Sequence, residues 1–339
     1  MLKHLVFALS LTWNLFAIAA IKLNGAGATF PYPIYSKWIS EYQKDRPNVQ
    51  VNYQSIGSGG GIRQVIKGTV DFGASDVPMR EREKAKSTHQ ILHVPTVIGA
   101  VVVAYNLPSL KKPLRLDGET IAALFSGKIV KWDDKRIADL NPGVALPALD
   151  ILSVHRADRS GTTGIFTDYL SNVSSAWKKD IGNGKAVKWP GGIGGKGNEG
   201  VTGIVKQTKG SVGYVELAYA IQNKLAYVVI KNASGKFVHA SLDSIASAAS
   251  NLKDKEVSSL AMSIVNSKNP QAYPISAMTY ILLPLTGEKT PKYSEVIRFL
   301  IWAQTKGQKF ASKLHYAPLP KVVGKKIVRH MEKLIAKKK

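Results

Sequence analysis

Short apolar runs alternate with segments of helical periodicity along most of the chain. Val49–Tyr53 carries apolar side chains at every second position, which predicts a strand with one buried face. Val94–Asn106, rich in β-branched residues, and Ile275–Leu285 are longer apolar runs, as expected for buried strands. Shorter strands are predicted at Thr69–Gly73 and Ile151–Val154. Strands that alternate with helices predict an α/β fold with largely parallel sheets.

The two ends of the chain have patterns of their own. Residues 1–20 have the basic residues Lys3 and His4 near their start, continue as an apolar run and end with a small-x-small pattern at Ala17-Ile18-Ala19. This order predicts a cleavable export signal rather than a membrane anchor. Val322–Ala336 repeats apolar residues at helical spacing, which predicts a terminal amphipathic helix. Residues 321–339 contain eight Lys or Arg and one Glu, and the interpretations left open are a role at a permease or lipid surface and a solvated helix end.

Composition limits the classes of function that remain. A chain of 339 residues with 45% apolar residues is long enough for about two domains with packed cores. The absence of cysteine excludes disulfides, cysteine-ligated metals, a thiol nucleophile and an N-terminal lipid-modified cysteine. A formal net charge of +24 favours an anionic partner, which leaves a small anion, a membrane surface or nucleic acid, unless the charge is only a solvated lysine-rich surface.

Motifs for nucleotide binding and catalysis start in several places and are not completed. Gly195-Lys196 has Pro190 where a phosphate-binding loop needs its first glycine, and Gly197 where it needs Ser or Thr. The turns that begin at Gly25 and Gly57 each start like a dinucleotide fingerprint, but Phe30 and Ile62 stand where its last glycine is required. No Gly-x-Ser-x-Gly elbow occurs. We therefore expect no cofactor.

Histidines give no better support for an enzyme or a metal site. His89 and His93 are four residues apart with no third ligand nearby, so we expect both to be polar surface residues and no metal to be bound. His155 could serve as a general base beside Ser160, but the sequence shows no group that would orient it. The sequence thus predicts a protein that is not an enzyme.

Three segments share one design, in which a strand is followed by a small polar turn and the start of a helix: residues 23–31, 57–62 and 156–164. In the first of them Thr29 is the predicted N-cap and Pro31 suits the first helical turn. Helix N-termini bind oxyanions through free N–H groups, glycine allows close approach, and Arg156 adds a planar charged fork. The pattern fits both an oxyanion site and three ordinary helix caps.

Longer motifs decide between these interpretations. The segments GAGATFPYPIY at 25–35, VDFGASDVP at 70–78, RADRSGTT at 156–163 and VKWPGGIGGKGNEG at 187–200 occur in this order. They resemble the phosphate-binding proteins of bacterial phosphate ABC transporters, and the resemblance extends from about residue 23 to about residue 320. It implies a type II periplasmic-binding-protein fold, with two α/β lobes joined by two crossing strands near Thr96–Val103 and Ile275–Tyr280.

The resemblance also implies a domain division and a binding site. Residues 1–20 would be the signal peptide, 21–97 with 278–339 a discontinuous first lobe, and 98–277 the second lobe. The implied phosphate ligands are Thr29, Phe30 (through its backbone N–H), Ser58, Asp76, Arg156, Asp158, Ser160, Gly161 and Thr162. Asp158 is expected to hold Arg156 in position. Two positions depart from the family pattern, since Gly59 stands where a second serine is common and Arg159 where the residue is often small.

The implied function is binding of inorganic phosphate in the periplasm and its delivery to the permease and ATPase subunits of an ABC import complex. We expect a monomer without a nucleic-acid partner and without a lipid anchor. Two alternatives remain, namely an enzyme acting on phosphate esters and a basic anion-binding or adhesion protein. For Asp76 the choice is between accepting a hydrogen bond from a protonated phosphate, which would reject sulfate, and merely turning the chain before Pro78.

Overall fold

The computed structural model of the chain describes residues 20–250, 261, 263–288 and 290–336. Residues 1–19, which form nearly all of the predicted export signal, and Lys337–Lys339 of the basic tail lie outside it. The strands are β1 (Ile21–Gly27), β2 (Val49–Ser55), β3 (Phe72–Ser75), β4 (Gln90–Tyr105), β5 (Arg115–Leu116), β6 (Leu152–Arg156), β7 (Ile193–Gly195), β8 (Ser211–Glu216), β9 (Ala226–Tyr227), β10 (Val229–Lys231), β11 (Phe237–Val238) and β12 (Ser276–Leu285).

Helices lie between most of these strands, as the sequence predicts. They are α1 (Tyr32–Asp45), α2 (Ser58–Ile66), α3 (Glu81–Lys84), α4 (Gly118–Phe125), α5 (Lys135–Leu140), α6 (Gly161–Val173), α7 (Ser175–Asp180), α8 (Gly197–Gln207), α9 (Leu217–Gln222), α10 (Leu242–Ala248), α11 (Pro291–Thr305) and α12 (Lys321–Ile335). Two short 3₁₀ turns, Gly307–Phe310 and Ser312–Leu314, separate α11 from α12.

One long strand belongs to both halves of the molecule. The main sheet has the order β2-β1-β3-β12-β4-β8-β6-β7, with β9 also paired to β4. Residues 90–100 of β4 pair with β12, whereas residues 101–105 pair with β8. Where β4 changes partners, the N–H of Val101 donates to the carbonyl of Ile275, just before β12 begins. Two α/β lobes are therefore joined by adjacent crossing strands, and the predicted fold class is confirmed.

The long apolar runs form the strands that the pattern indicates, but one boundary was wrong. The strand predicted at Thr69–Gly73 is displaced to β3 (Phe72–Ser75). Gly68 has a φ of +66°, which ends α2 in the left-handed conformation, and the Thr69 N–H then donates to the carbonyl of Gln64. Residues 69–71 therefore complete the end of α2 and connect it to β3, which begins only at Phe72.

The chain's C-terminal helix has the predicted amphipathic character. In α12 the buried residues are Val323, Ile327 and Met331, while its lysines face solvent. This helix packs against α11 and covers the first lobe. Over the described ranges, no helix combines the length and the apolar character needed to cross a bilayer.

The prediction that His89 and His93 both lie on the surface was wrong for His93. His93 belongs to β4, is buried, and its Nε2 accepts the N–H of Met79 at 3.0 Å. Burial lowers its pKa to about 4, so the ring is a neutral acceptor at neutral pH. Within the described part of the chain, no group of three or more His, Asp or Glu side chains is arranged to hold a metal ion.

Candidate anion-binding site

Three helices begin in the cleft between the lobes. Helix α2 starts at Ser58 in the first lobe, and α6 and α8 start at Gly161 and Gly197 in the second. The lobes meet there directly, because the N–H of Gly59 donates to the carbonyl of Arg159 at 2.8 Å. Helix N-termini carry partial positive charge, so their convergence creates a region suited to an anion.

A buried arginine supplies the full positive charge of the cleft. The Arg156 side chain at the end of β6 is only 1% exposed, and its Nε and Nη2 donate to the two carboxylate oxygens of Asp158 at 2.7 and 2.6 Å. Burial acts to raise the pKa of Asp158, but the Arg156 guanidinium and the Gly197 N–H outweigh it and hold that pKa below its usual range. This forked pair fixes the guanidinium plane and leaves Nη1 directed toward Thr162.

Two threonines from opposite lobes are joined by one amide. The Asn198 side-chain Nδ2 donates to the Oγ1 of Thr29 at 2.8 Å and to the Oγ1 of Thr162 at 3.2 Å. Thr29 belongs to the first lobe, and Thr162 lies in the first turn of α6. The Tyr219 hydroxyl adds a second contact across the cleft by donating to the carbonyl of Thr29 at 2.7 Å.

The first lobe contributes a buried carboxyl group. Asp76, just after β3, accepts from the hydroxyls of Thr279 at 2.8 Å and Ser58 at 3.2 Å. Burial raises its pKa to about 7, although the bonds from Thr279 and Ser58 and the charge of Arg156 oppose the rise. Across the cleft, a Cβ on Gly161 would overlap the Ser58 hydroxyl and the Asp76 carboxylate, so only glycine allows α6 to approach this closely.

Several buried donors in the cleft have no acceptor within the part of the chain that the structure describes. Over the described residues, the backbone N–H groups of Phe30, Gly161 and Thr162 donate to no acceptor, although all three residues are buried. Ser160 behaves differently, since its hydroxyl oxygen caps α6 by accepting the N–H of Thr163 at 3.0 Å. Buried N–H groups are almost always paired in native proteins, so this set indicates a ligand rich in acceptors.

The structure therefore brings the nine residues implied by the family motifs into one cleft, but it corrects one detail. Thr29 is not the N-cap of α1, because the helix begins only at Tyr32, after Pro31, and its first turn receives no side-chain cap. The Thr29 hydroxyl is thereby available to the cleft.

Asn198 and Thr279 also contact the site residues, and neither was predicted from the sequence. Asn198 lies in a glycine-rich segment whose second part forms β7 and the start of α8. The only available signal was the Gly-Asn-Glu-Gly sequence at this helix start. Thr279 lies within the long apolar strand β12 and had no polar pattern of its own.

Gly59 and Arg159, the two residues that depart from the family pattern, are in contact with each other. Gly59 lies against Arg159, and a Cβ at position 59 would overlap the Cβ of that arginine. The small residue on one lobe thus accommodates the larger one on the other.

His155 and Ser160, the pair considered as base and nucleophile, are engaged separately in the structure. The His155 ring stacks on Trp189 with centroids 5.1 Å apart, and its Nδ1 lies 3.3 Å from the Arg156 carbonyl. Among the described residues, His155 makes no hydrogen bond to Ser160. The arrangement can bind and orient an oxyanion.

Fold and cleft together define the chain as a two-lobed α/β solute-binding protein. A family model for the PBP superfamily domain matches residues 17–304. The chain is 47% identical over 302 residues to the phosphate-binding protein PstS of Haemophilus influenzae, covering 89% of this chain and 90% of that one. It is 47% identical over 322 residues to PstS of Pasteurella multocida, covering 94% and 93%. The chain belongs to the PstS family of phosphate-binding proteins.

Solved structures of more distant proteins have the same fold. A phosphate-binding protein from Stenotrophomonas maltophilia aligns with a TM-score of 0.65 at 17% identity, covering 91% of this chain and 94% of that chain. An ABC-type phosphate transport receptor from Vibrio cholerae aligns with a TM-score of 0.56 at 16% identity, covering 88% and 100%.

Proposed function

We propose that this protein binds inorganic phosphate in the cleft between its lobes and serves as the substrate receptor of an ABC-type phosphate importer. Its PstS relatives are named for phosphate binding. The nine residues implied by the family motifs would be the ligands. The lobe boundaries near residues 97 and 277 belong to the same proposal.

The observation that carries the proposal is the set of buried donors from both lobes. Phe30 and Thr29 contribute from one side, and Arg156, Gly161 and Thr162 from the other. A tetrahedral oxyanion has acceptor oxygens in several directions and can satisfy both sides at once. Phosphate would then favour the state in which the lobes are in contact, because only that state completes its hydrogen bonds.

A phosphate-ester hydrolase is the competing function, and the cleft gives it little support. The Ser160 hydroxyl caps a helix and His155 is stacked on an indole. We propose that the protein has no enzymatic activity. Incubation with a panel of phosphate monoesters and diesters should release no phosphate above the rate without protein.

The location and partners follow from the same family assignment. We propose that the predicted signal directs the chain to the periplasm, where it acts as a soluble monomer without a lipid anchor. Permease and ATPase subunits of an importer would be its partners, and nucleic acid would not.

Replacing Arg156 with alanine tests the site. The change removes a charged donor from a buried anion site, which typically costs ~2–5 kcal/mol, so phosphate should bind at least about 30-fold more weakly. Arg156→Lys should recover only part of the affinity, because a point charge replaces a planar fork. Equilibrium dialysis of phosphate-free protein measures both.

A matched control exists in the same lobe. Arg136 also pairs with an aspartate two residues away, Asp134, at 2.8 Å, but its side chain is 48% exposed and lies outside the cleft. Arg136→Ala should leave phosphate affinity unchanged. Equal affinity in the Arg156→Ala and Arg136→Ala variants would remove Arg156 from the site.

A further inference from the structure

The orientation of Asn198 is fixed by a backbone group. The N–H of Glu216 donates to one end of the Asn198 amide at 2.9 Å. A backbone N–H can only donate, so the atom that receives it must be the carbonyl oxygen, and the opposite end of the amide must be the NH₂ group. Asn198 is completely buried, and Glu216 holds it at the junction of β8 and α9.

The NH₂ group then determines which hydrogen-bonding role is left to each threonine hydroxyl. A hydroxyl has one proton to donate and two lone pairs to accept with. The Oγ1 of Thr29 accepts from the Asn198 side chain at 2.8 Å and from the Asn198 backbone N–H at 3.2 Å. The Oγ1 of Thr162 accepts from Asn198 and from Nη1 of Arg156, both at 3.2 Å. Each oxygen has both lone pairs occupied.

Each hydroxyl proton is consequently left without a partner among the described residues. Over the described ranges neither Thr29 nor Thr162 donates to any acceptor, although both side chains are buried. A buried hydroxyl proton needs an acceptor, and the space bordered by both threonines is the cleft.

We infer that Asn198 is a positioning residue that forces the hydroxyls of Thr29 and Thr162, one from each lobe, to act only as hydrogen-bond donors toward the bound anion. The inference rests on the proposed function, since it states how the donors of that phosphate site are oriented. Without the amide, each hydroxyl can rotate and donate elsewhere, so part of the binding free energy must be used to reorient it. With the amide, the donors are set before phosphate arrives.

A double-mutant cycle separates this role from simple structural support. Asn198→Ala in the otherwise native protein should weaken phosphate binding by about 30-fold, because two donors to a charged ligand lose their orientation. In a Thr162→Val background one of those hydroxyls is already gone, so the same change should cost only about fivefold. Phosphate affinity is measured by calorimetry on phosphate-free protein.

Two further variants keep the test decisive. Asn172→Ala removes an exposed amide on α6 that bonds the Asp168 carbonyl, and it should change affinity in neither background. If Asn198→Ala does not fold, the isosteric Asn198→Asp replaces it. The carboxylate of Asn198→Asp would accept hydrogen bonds from both hydroxyls. Its added negative charge weakens phosphate binding in both backgrounds, so the effect of the charge cancels in the cycle.

An equal loss of phosphate affinity on Asn198→Ala in both backgrounds would overturn the inference. If Asn198 only supported the fold, its replacement would reduce the affinity by the same factor with or without the Thr162 hydroxyl. Unchanged affinity in the single variant would overturn it as well. Failure of the native protein to bind phosphate in the same titration would instead refute the proposed function.

Discussion

Asp76 places a carboxyl group where an anion is expected to bind. The protonation state of this carboxyl determines which oxyanions it can pair with. Its carboxyl is buried, accepts from two hydroxyls and has a pKa of about 7. The ionised form can only accept, so it pairs with an oxyanion that still carries a proton and repels one that does not. Near neutral pH phosphate retains a proton and sulfate retains none, which would make Asp76 the residue that rejects sulfate.

Sulfate rejection should therefore depend on pH. As the pH falls from 8 to 5, Asp76 gains a proton and can donate to sulfate, so sulfate should compete measurably better at pH 5. In Asp76→Asn the amide donates at every pH, so sulfate competition should change less between the two pH values than it does in the native protein. Competition of sulfate against labelled phosphate at the two pH values gives the answer. Strong, pH-independent rejection of sulfate in both proteins would make Asp76 a structural residue.

The raised pKa also predicts a stability change in the phosphate-free protein. A folded-state pKa of about 7 lies above the ordinary aspartate value of 3.8, so the protonated form is favoured in the fold. The stability that the protonated group contributes is complete below pH ~4 and is lost as the pH rises to about 7, by up to about 4 kcal/mol. Asp76→Asn should thus raise the melting temperature at pH 8 more than at pH 4. Equal shifts at the two pH values would contradict this assignment.

Contact between Gly59 and Arg159 gives a second residue-scale prediction. In Gly59→Ser the new Cβ would overlap the Cβ of Arg159 when the lobes are in contact. Phosphate affinity should fall by about tenfold or more, since misfitted side chains typically cost ~1–3 kcal/mol, and Arg159→Gly should restore it. Gly203→Ser is the control, because a Cβ there meets nothing within 4 Å. Unchanged affinity in Gly59→Ser would show that the lobes tolerate a wider separation at this point.

Residues of the site differ in how far the sequence could predict them. Arg156 and Thr162 stand in a polar motif directly after a strand, where side chains reach a cleft, and the family resemblance names them. Asn198 was not predicted, because its role depends on a backbone N–H of Glu216, eighteen residues away in the chain. Contacts of that kind are created by the fold and leave no local pattern.

Among the secondary-structure elements, α3 and the segment before β7 form a second connection between the lobes. The Lys185 ammonium group, 3% exposed, lies 2.8 Å from the Glu83 carboxylate. Nearby, the Arg80 guanidinium donates to the carbonyl of Asn183 at 3.2 Å. The backbone links the pair to the site, because the carbonyl of Lys185 accepts the N–H of Ser160.

Breaking this pair should weaken phosphate binding by disfavouring lobe contact. Glu83→Gln leaves the buried ammonium without a counter-charge and should cost about tenfold in affinity. Lys185→Met should cost less, and the double variant should bind better than Glu83→Gln alone. Asp180→Asn, which breaks the exposed Lys128–Asp180 contact at 3.9 Å within one lobe, is the control. Additive losses measured by phosphate titration in the double variant would show that the pair does not act across the cleft.

Element boundaries were less predictable than element types. Both crossing strands were evident as long apolar runs, because strands buried on both faces need apolar residues throughout. The position of β3 was not evident, because residues 69–71 have a strand-like pattern but complete the end of α2 after Gly68.

At the scale of the whole molecule, the two lobes share β4, so their relative position is set by one strand and its neighbour β12. Few covalent connections cross the cleft, and separation of the lobes would break the hydrogen bonds and the Glu83–Lys185 ion pair that join them. The apolar pattern predicted this architecture only with the help of the family resemblance, because period and length do not specify which strands pair.

This cleft is expected to bind inorganic phosphate and to reject a fully ionised oxyanion of the same shape. Calorimetric titration of phosphate-free native protein at pH 8 with phosphate and, separately, with sulfate measures both properties. We expect one phosphate bound per chain and no measurable sulfate binding at the same concentrations. No heat with phosphate, or equal affinity for the two anions, would contradict it.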